Sequence, residues 1–285
     1  MKKLLKLLLV SVFLINGIST SICTKKTSEK VCETAHYKLH DLIDDFKNYT
    51  TTNVGFHAGD LYQHSIWTAL VVDHWFEKHE LWTNGLDKRD RELAVLAALL
   101  HDIGKAGDLD FIFYTKPGHE INGLEYLMCK KTFYLAHGKT FDFVKFFKCL
   151  GISEEEIKII SILVGCHNQL GILLKKLPKK INKLDELSKF KSAVRDFFIS
   201  IHNVLCLADY KKKIDSRLLK LIILICMADV KGSGKIFLHL PLKIFDFIIT
   251  SSPDETHPEG YDNFTKFGYD SRGRKIFEFL LDFEK

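Results

Sequence analysis

"LLHDIGKAGD", residues 99–108, decides how the rest of the chain is read. Leu99 and Leu100 close an apolar stretch with the spacing of a helix face. His101 and Asp102 then stand side by side, and Lys105 follows after Gly104. An imidazole, a carboxylate and an ammonium at the end of an apolar helix have two readings. One is a polar helix terminus facing water. The other is a metal site, because a buried carboxylate costs several kcal/mol unless it is paired or metal-bound.

Outward from this stretch, apolar residues recur at spacings of three and four. Leu93, Leu96, Ala97 and Leu100 precede it; Ile157, Ile160, Leu163 and Val164, then Leu218, Leu221, Ile222 and Ile225, follow. No alternating strand stands out. The spacing predicts helices near 30–48, 60–80, 88–102, 118–131, 139–149, 153–167, 185–209, 215–229, 239–249 and 271–283. Ser153, followed by three glutamates, has the residues of a helix start. The expected fold is all-α, a single helical bundle over 30–250 with its candidate ligands at converging helix ends. A polar loop and a C-terminal helix extend it over 251–285.

Of the 285 residues, 46% are apolar and 12% aromatic, enough for a sizeable core. The net charge is +5, from 41 basic and 36 acidic residues. The lysines are dispersed, which leaves no nucleic-acid footprint, while a mildly basic surface suits phosphorylated substrates. The start of the chain differs from the rest. "MKKLLK", an apolar run of 12 and "STSIC" have the order of a secretory signal peptide, cut after Ser21. Residues 1–21 are therefore expected to direct export, periplasmic or secreted. An uncleaved N-terminal anchor is the alternative, and the chain would meet a membrane only through it. Cys129, Cys149, Cys166, Cys206 and Cys226 sit in apolar runs, as buried thiols do. Cys23 and Cys32 could pair, but nothing requires it.

Most of the 13 histidines stand in ordinary surroundings. Four do not. His64 lies near the start of an apolar helix in "LYQHSIWTAL", and His101 ends another. His119 opens a helix in "KPGHEINGLEYL", and His167 ends the run "IISILVGCHNQLG". Asp229 ends "LIILICMADVKGSG" in the same way. If these ends converge, a divalent cation would offset the burial of their polar groups. Imidazole with carboxylate suits manganese, iron, cobalt, nickel or zinc rather than calcium.

On these residues the chain resembles the HD-domain superfamily of metal-dependent phosphohydrolases. "QHS", "LLHDIGK", "GHE", "GCHNQLG" and "ADVKGSG" carry the order H…HD…H…H…D over roughly residues 55 to 235. The acidic pair of ppGpp hydrolases and the glycine-tyrosine-proline signature of cyclic-di-GMP enzymes are missing. His119 and His167 are typically absent from deoxynucleotide triphosphohydrolases. The nearest likeness is the HD domain attached to bacterial tRNA nucleotidyltransferases.

The resemblance implies one or two divalent ions and hydrolysis of a phosphate mono- or diester, in a small phosphorylated substrate such as a nucleotide. It implies that Asp102 bridges two ions, that His64, His101 and Asp229 complete one shell, and that His119 and His167 complete the other. A water between the ions would be the nucleophile. Lys105 is expected to hold a phosphate oxygen, with Gly104 keeping the approach open; a lysine serving the helix dipole is the alternative. Asn168 and Lys235 are further candidates for substrate contact. Asp108 and Asp110 are either proton-handling groups or a solvated loop. "KGSGK" at 231–235 lacks the spacing of a P-loop. A nucleotide-sensing module without turnover is the alternative function.

Overall fold

The helix that leads into His101 is set by its first turn. Asp87 is its N-cap: its side chain accepts a hydrogen bond from the Asp90 N–H at 2.8 Å, and its own N–H donates to Asp90 Oδ2 at 3.0 Å. Ser153 and Glu156 form the same reciprocal box at the start of a second helix. These are α2 (Lys88–Leu100) and α5 (Glu154–Cys166) in a computed structural model that describes residues 61–77, 83–106, 118–135, 138–176 and 184–232. The other described helices are α1 (Leu61–Glu77), α3 (His119–Leu127), α4 (Phe143–Cys149), α6 (Gln169–Lys176), α7 (Leu184–Leu207) and α8 (Ser216–Gly232). A 3₁₀ turn covers Ile103–Lys105.

Two capping boxes and one ion pair bring the functional ends together. Arg89, in the first turn of α2, grips Glu156, in the first turn of α5, through two N–H···O bonds of 2.6 and 2.9 Å. The two helices thus start side by side. Each is 13 residues long, so they also end side by side, on His101 and His167. Those rings meet edge to face, with centroids 5.1 Å apart.

The core explains why these helices are apolar on more than one side. From Ile157 to Cys166, α5 is buried at every position but Lys158, and α8 is buried from Leu218 to Ala228 except at Lys220. A helix apolar nearly all round belongs at the centre. Here α1 packs on α2 and α8, α3 on α5, and α2 and α8 on α5. Trp75, Val72, Leu100, Leu163 and Ile222 lie in the fully enclosed part of that core.

The all-α class holds, with local corrections. Phe133–Tyr134 and Thr140–Phe141 form a two-stranded antiparallel ribbon, where a helix was expected from 139. Asp142 caps α4 by accepting from Lys145 N at 2.8 Å, so the helix begins only at Phe143. The helix expected over 118–131 stops at Leu127, and Cys129 beyond it has φ 52. The short helix α6 lies between the helices expected over 153–167 and 185–209, where none was expected. The thiols divide: Cys166 and Cys226 are buried, Cys149 is half-buried, and Cys129 and Cys206 are exposed. Lying in an apolar run does not say which side of the helix a residue takes. The expected signal peptide, the first and the last two expected helices, Asp108, Asp110 and Lys235 lie outside the described residues. Among the described residues no helix is long and apolar enough to cross a membrane.

The Arg89–Glu156 pair makes a first testable point. Arg89 holds the Glu156 carboxyl at about 2, below its ordinary 4.5. A carboxyl whose pKa is depressed by folding stabilises the fold above its unfolded value and loses that contribution as pH falls towards the folded one. The window is therefore about pH 4.5 down to about 2. Because the pair is partly exposed, its contribution is about 1 kcal/mol. Glu156→Gln should lower Tm at pH 6, and the gap to the wild type should narrow by pH 3 in a thermal scan.

Candidate metal centre

His101 and His167 are the C-cap residues of α2 and α5. The last carbonyls of a helix have no partner within it. Each ring uses one of them: His101 Nδ1–H donates to Ala98 O and His167 Nδ1–H to Val164 O, both at 2.7 Å. A carbonyl only accepts, so the proton is on Nδ1. In the neutral ring Nε2 then carries the lone pair, and it faces inward. A histidine at a helix end thus satisfies an orphan carbonyl and aims a ligand atom in one step.

Two trios of ligand atoms result: His64, His101 and Asp229, and Asp102, His119 and His167, each with its atoms within 4.8 Å of one another. In the first, His64 Nε2 lies 3.0 Å from His101 Nε2 and 2.9 Å from Asp229 Oδ1. In the second, His119 Nε2 lies 3.2 Å from His167 Nε2. Asp102 stands between the trios. Its Oδ2 is 3.5 Å from His101 Nε2 and 3.7 Å from His64 Nε2, and its Oδ1 is 3.2 Å from His119 Nε2 and 3.6 Å from His167 Nε2. Two inward nitrogens 3 Å apart would oppose lone pair to lone pair unless a proton or a cation lies between them. That, with the buried carboxylate of Asp102 and the partly buried one of Asp229, is the donor chemistry of a transition-metal site, and the residues present fit such ions.

The electrostatics favour positive charge in the same place. Burial opposes ionisation of Asp102, yet Lys105, His101 and His119 hold its carboxyl well below the usual range. Asp229 is likewise held low against burial, by His101 and His64. Burial works against a charged His101, but Asp102 and Asp229 outweigh it and raise its pKa. Burial, with His101 and His119 alongside, pushes His167 down to about 3, so it is a neutral donor near pH 7.

The structure brings together all six expected ligands and revises their neighbours. Lys105 does not continue the helix of His101, because α2 ends at Leu100. It sits in the 3₁₀ turn and reaches back to Asp102, with Nζ 2.5 Å from Oδ2. Gly104 does not keep a path open for substrate. A Cβ there would lie 1.8 Å from the His119 carbonyl oxygen and 2.6 Å from Gly123 N. Only a hydrogen allows the turn to seat against the start of α3, which is what puts His119 beside Asp102. Gly232 does the same for Asp229: a Cβ would meet Thr68 Oγ1 at 2.5 Å, one turn beyond the His64–Asp229 contact on both helices. Asn168 donates its amide to Glu120 Oε1. Glu120 itself received no role from the sequence. Its position directly after His119 in "GHE" was the available signal, masked because an acidic residue in a first helical turn is ordinary.

Residues 61–188 match the family model of the HD domain. No curated protein and no solved structure matches the chain. The matched segment contains His64, His101, Asp102, His119 and His167, and it supports the HD-domain superfamily, whose members are commonly metal-dependent hydrolases. Asp229 lies beyond the match and is joined to the site by geometry alone, through its 2.9 Å contact with His64.

Proposed function

We propose that the chain is a metal-dependent phosphohydrolase that cleaves phosphate mono- or diesters of a small substrate, a nucleotide being the class favoured. The carrying observation is one buried carboxylate, Asp102, whose two oxygens face two separate histidine pairs. On this reading His64, His101 and Asp229 hold one cation, His119 and His167 a second, and Asp102 both. When bound, the cations supply Lewis acidity, which acidifies a water and offsets negative charge on the phosphoryl oxygens. The likeness of "LLHDIGK" and "GHE" to the HD domain of tRNA nucleotidyltransferases favours phosphatase or phosphodiesterase chemistry.

The side chains divide into floor and mouth. His64, His101, Asp102 and His167 are at most 2% exposed, whereas Lys105, His119 and Asp229 are 16–17% exposed. Substrate would therefore meet the site on the Lys105 side. Lys105 anchors a phosphate oxygen and shares its charge with Asp102. Removing a hydrogen bond to a charged group costs about 1.5–3 kcal/mol. Lys105→Met should then lower kcat/KM roughly 10- to 150-fold, more for a monoester than for a diester, with metal content unchanged. Unchanged kcat/KM would leave Lys105 only the ion-pair partner of Asp102.

The function is tested by release of nitrophenol from mono- and bis-nitrophenyl phosphate with manganese added, followed by a nucleotide screen. Turnover abolished by chelation supports the reading. Bound metal and bound nucleotide without turnover would make the chain a sensing module instead. Export is part of the same proposal: expressed in a bacterium, the mature chain should begin at or near Ile22 and be found outside the cytoplasm. An intact Met1 on cytosolic protein would contradict it.

A further inference from the structure

His101 and His167 are oriented by carbonyls of their own helices. His119 cannot be. It is the first residue of α3, so no preceding helical turn supplies an acceptor for its Nδ1. The group that stands there instead is Glu120, a buried carboxylate whose Oε2 lies 3.6 Å from His119 Nδ1. Its other oxygen, Oε1, accepts from the Asn168 amide, and Asn168 directly follows His167. One carboxylate therefore touches the ring of His119 and the segment that carries His167.

We propose that Glu120 is a positioning residue: it holds the His119 proton on Nδ1, turns Nε2 towards Asp102 and His167, and so tunes the second trio for a cation. The inference rests on the metal reading above. A carboxylate behind a ligating imidazole fixes its tautomer and raises its basicity, and losing one typically costs 10- to 100-fold in metal affinity. The first helical turn is a favourable place for that negative charge.

Glu120→Gln gives the sharpest test. The new amide oxygen can still accept from Asn168. Its NH₂ then faces His119 Nδ1, which must become an acceptor, and the proton moves to Nε2, where it blocks ligation. The full-length chain is measured metal-free by ¹⁵N NMR of its histidines, and then by zinc titration. The expected result is a protonated His119 Nδ1 in the wild type and an unprotonated Nδ1 in Glu120→Gln. The weaker zinc step should fall 10- to 100-fold, and the tighter step should stay unchanged. Asn168→Ala, which keeps the carboxylate, should keep the wild-type tautomer and affinity within about threefold. Should the glutamine variant fail to fold, Glu120→Met, which removes the carboxylate without supplying a donor, should weaken the same zinc step. An unchanged tautomer and zinc affinity in Glu120→Gln would overturn the proposal. So would an Asn168→Ala variant equal to it, since Glu120 would then only brace the helix. If the wild type takes up no zinc, the metal reading fails, and the tautomer measurement still decides on Glu120.

Discussion

Asp102→Ala is expected to reduce hydrolysis to the uncatalysed background and to remove both cations from the chain. Asp102 faces both histidine pairs: Oδ1 is 3.2 Å from His119 Nε2, and Oδ2 is 3.5 Å from His101 Nε2. The substitution also leaves Lys105 without the carboxylate it touches, and His101 without one of the two anions that raise its pKa. Breaking a buried pair by removing one partner commonly costs about 3–5 kcal/mol. Circular dichroism must therefore accompany the assay. Asp102→Asn is the companion variant, because it keeps the volume and removes the charge. It should fold and still bind at most weakly. A folded Asp102→Asn protein with full metal content and full activity would show that the carboxylate is not the shared ligand.

The second large effect concerns a residue with no chemistry of its own. Gly104→Ala places a methyl group 1.8 Å from the His119 carbonyl oxygen. Backbone cannot yield as a side-chain tip can, so α3 must shift away from the 3₁₀ turn. Overpacking of this kind costs about 1–3 kcal/mol, and here the upper end is expected. At roughly 2–4 °C per kcal/mol for a domain of this size, Tm should fall by about 6–12 °C. His119 moves with α3, so metal uptake by the second trio should fall further than stability alone explains. Gly171→Ala is the control. Nothing lies within 4 Å of a Cβ there, and it sits inside helix α6. It should be neutral or stabilise by about 0.5–1 kcal/mol. Equal effects of the two substitutions would remove the packing role assigned to Gly104.

The ligands were legible in the sequence because they break a pattern. A histidine or aspartate that ends a long apolar run must either reach water or find a partner, and His101, His167 and Asp229 each do so. The helices α2, α5 and α8 were legible for a related reason: their apolar spacing persists over many residues, and burial then follows on nearly every side. What escaped depends on contacts between segments far apart in the chain. Nothing local distinguishes a glycine that clears the way for substrate from Gly104, which makes room for a carbonyl. Glu120 has the residue type that any first helical turn favours, so its contacts with His119 and Asn168 were invisible. The ribbon at 133–141 is too short for alternation to register. Cys206 shows the limit of reading burial from a run, since an amphipathic helix carries apolar neighbours on both sides of its exposed stripe, and Cys129 is exposed because it falls beyond the end of α3.

The central claim is that two trios share Asp102, and metal counting tests it most directly. Full-length protein stripped with a chelator, titrated with manganese or zinc and analysed by elemental mass spectrometry, should take up two ions per chain. His167→Ala and His64→Ala should each take up one, and the two variants should lose different steps of the titration. A wild-type chain that retains no ion at micromolar free metal, or a His167→Ala chain with undiminished uptake, would contradict the account.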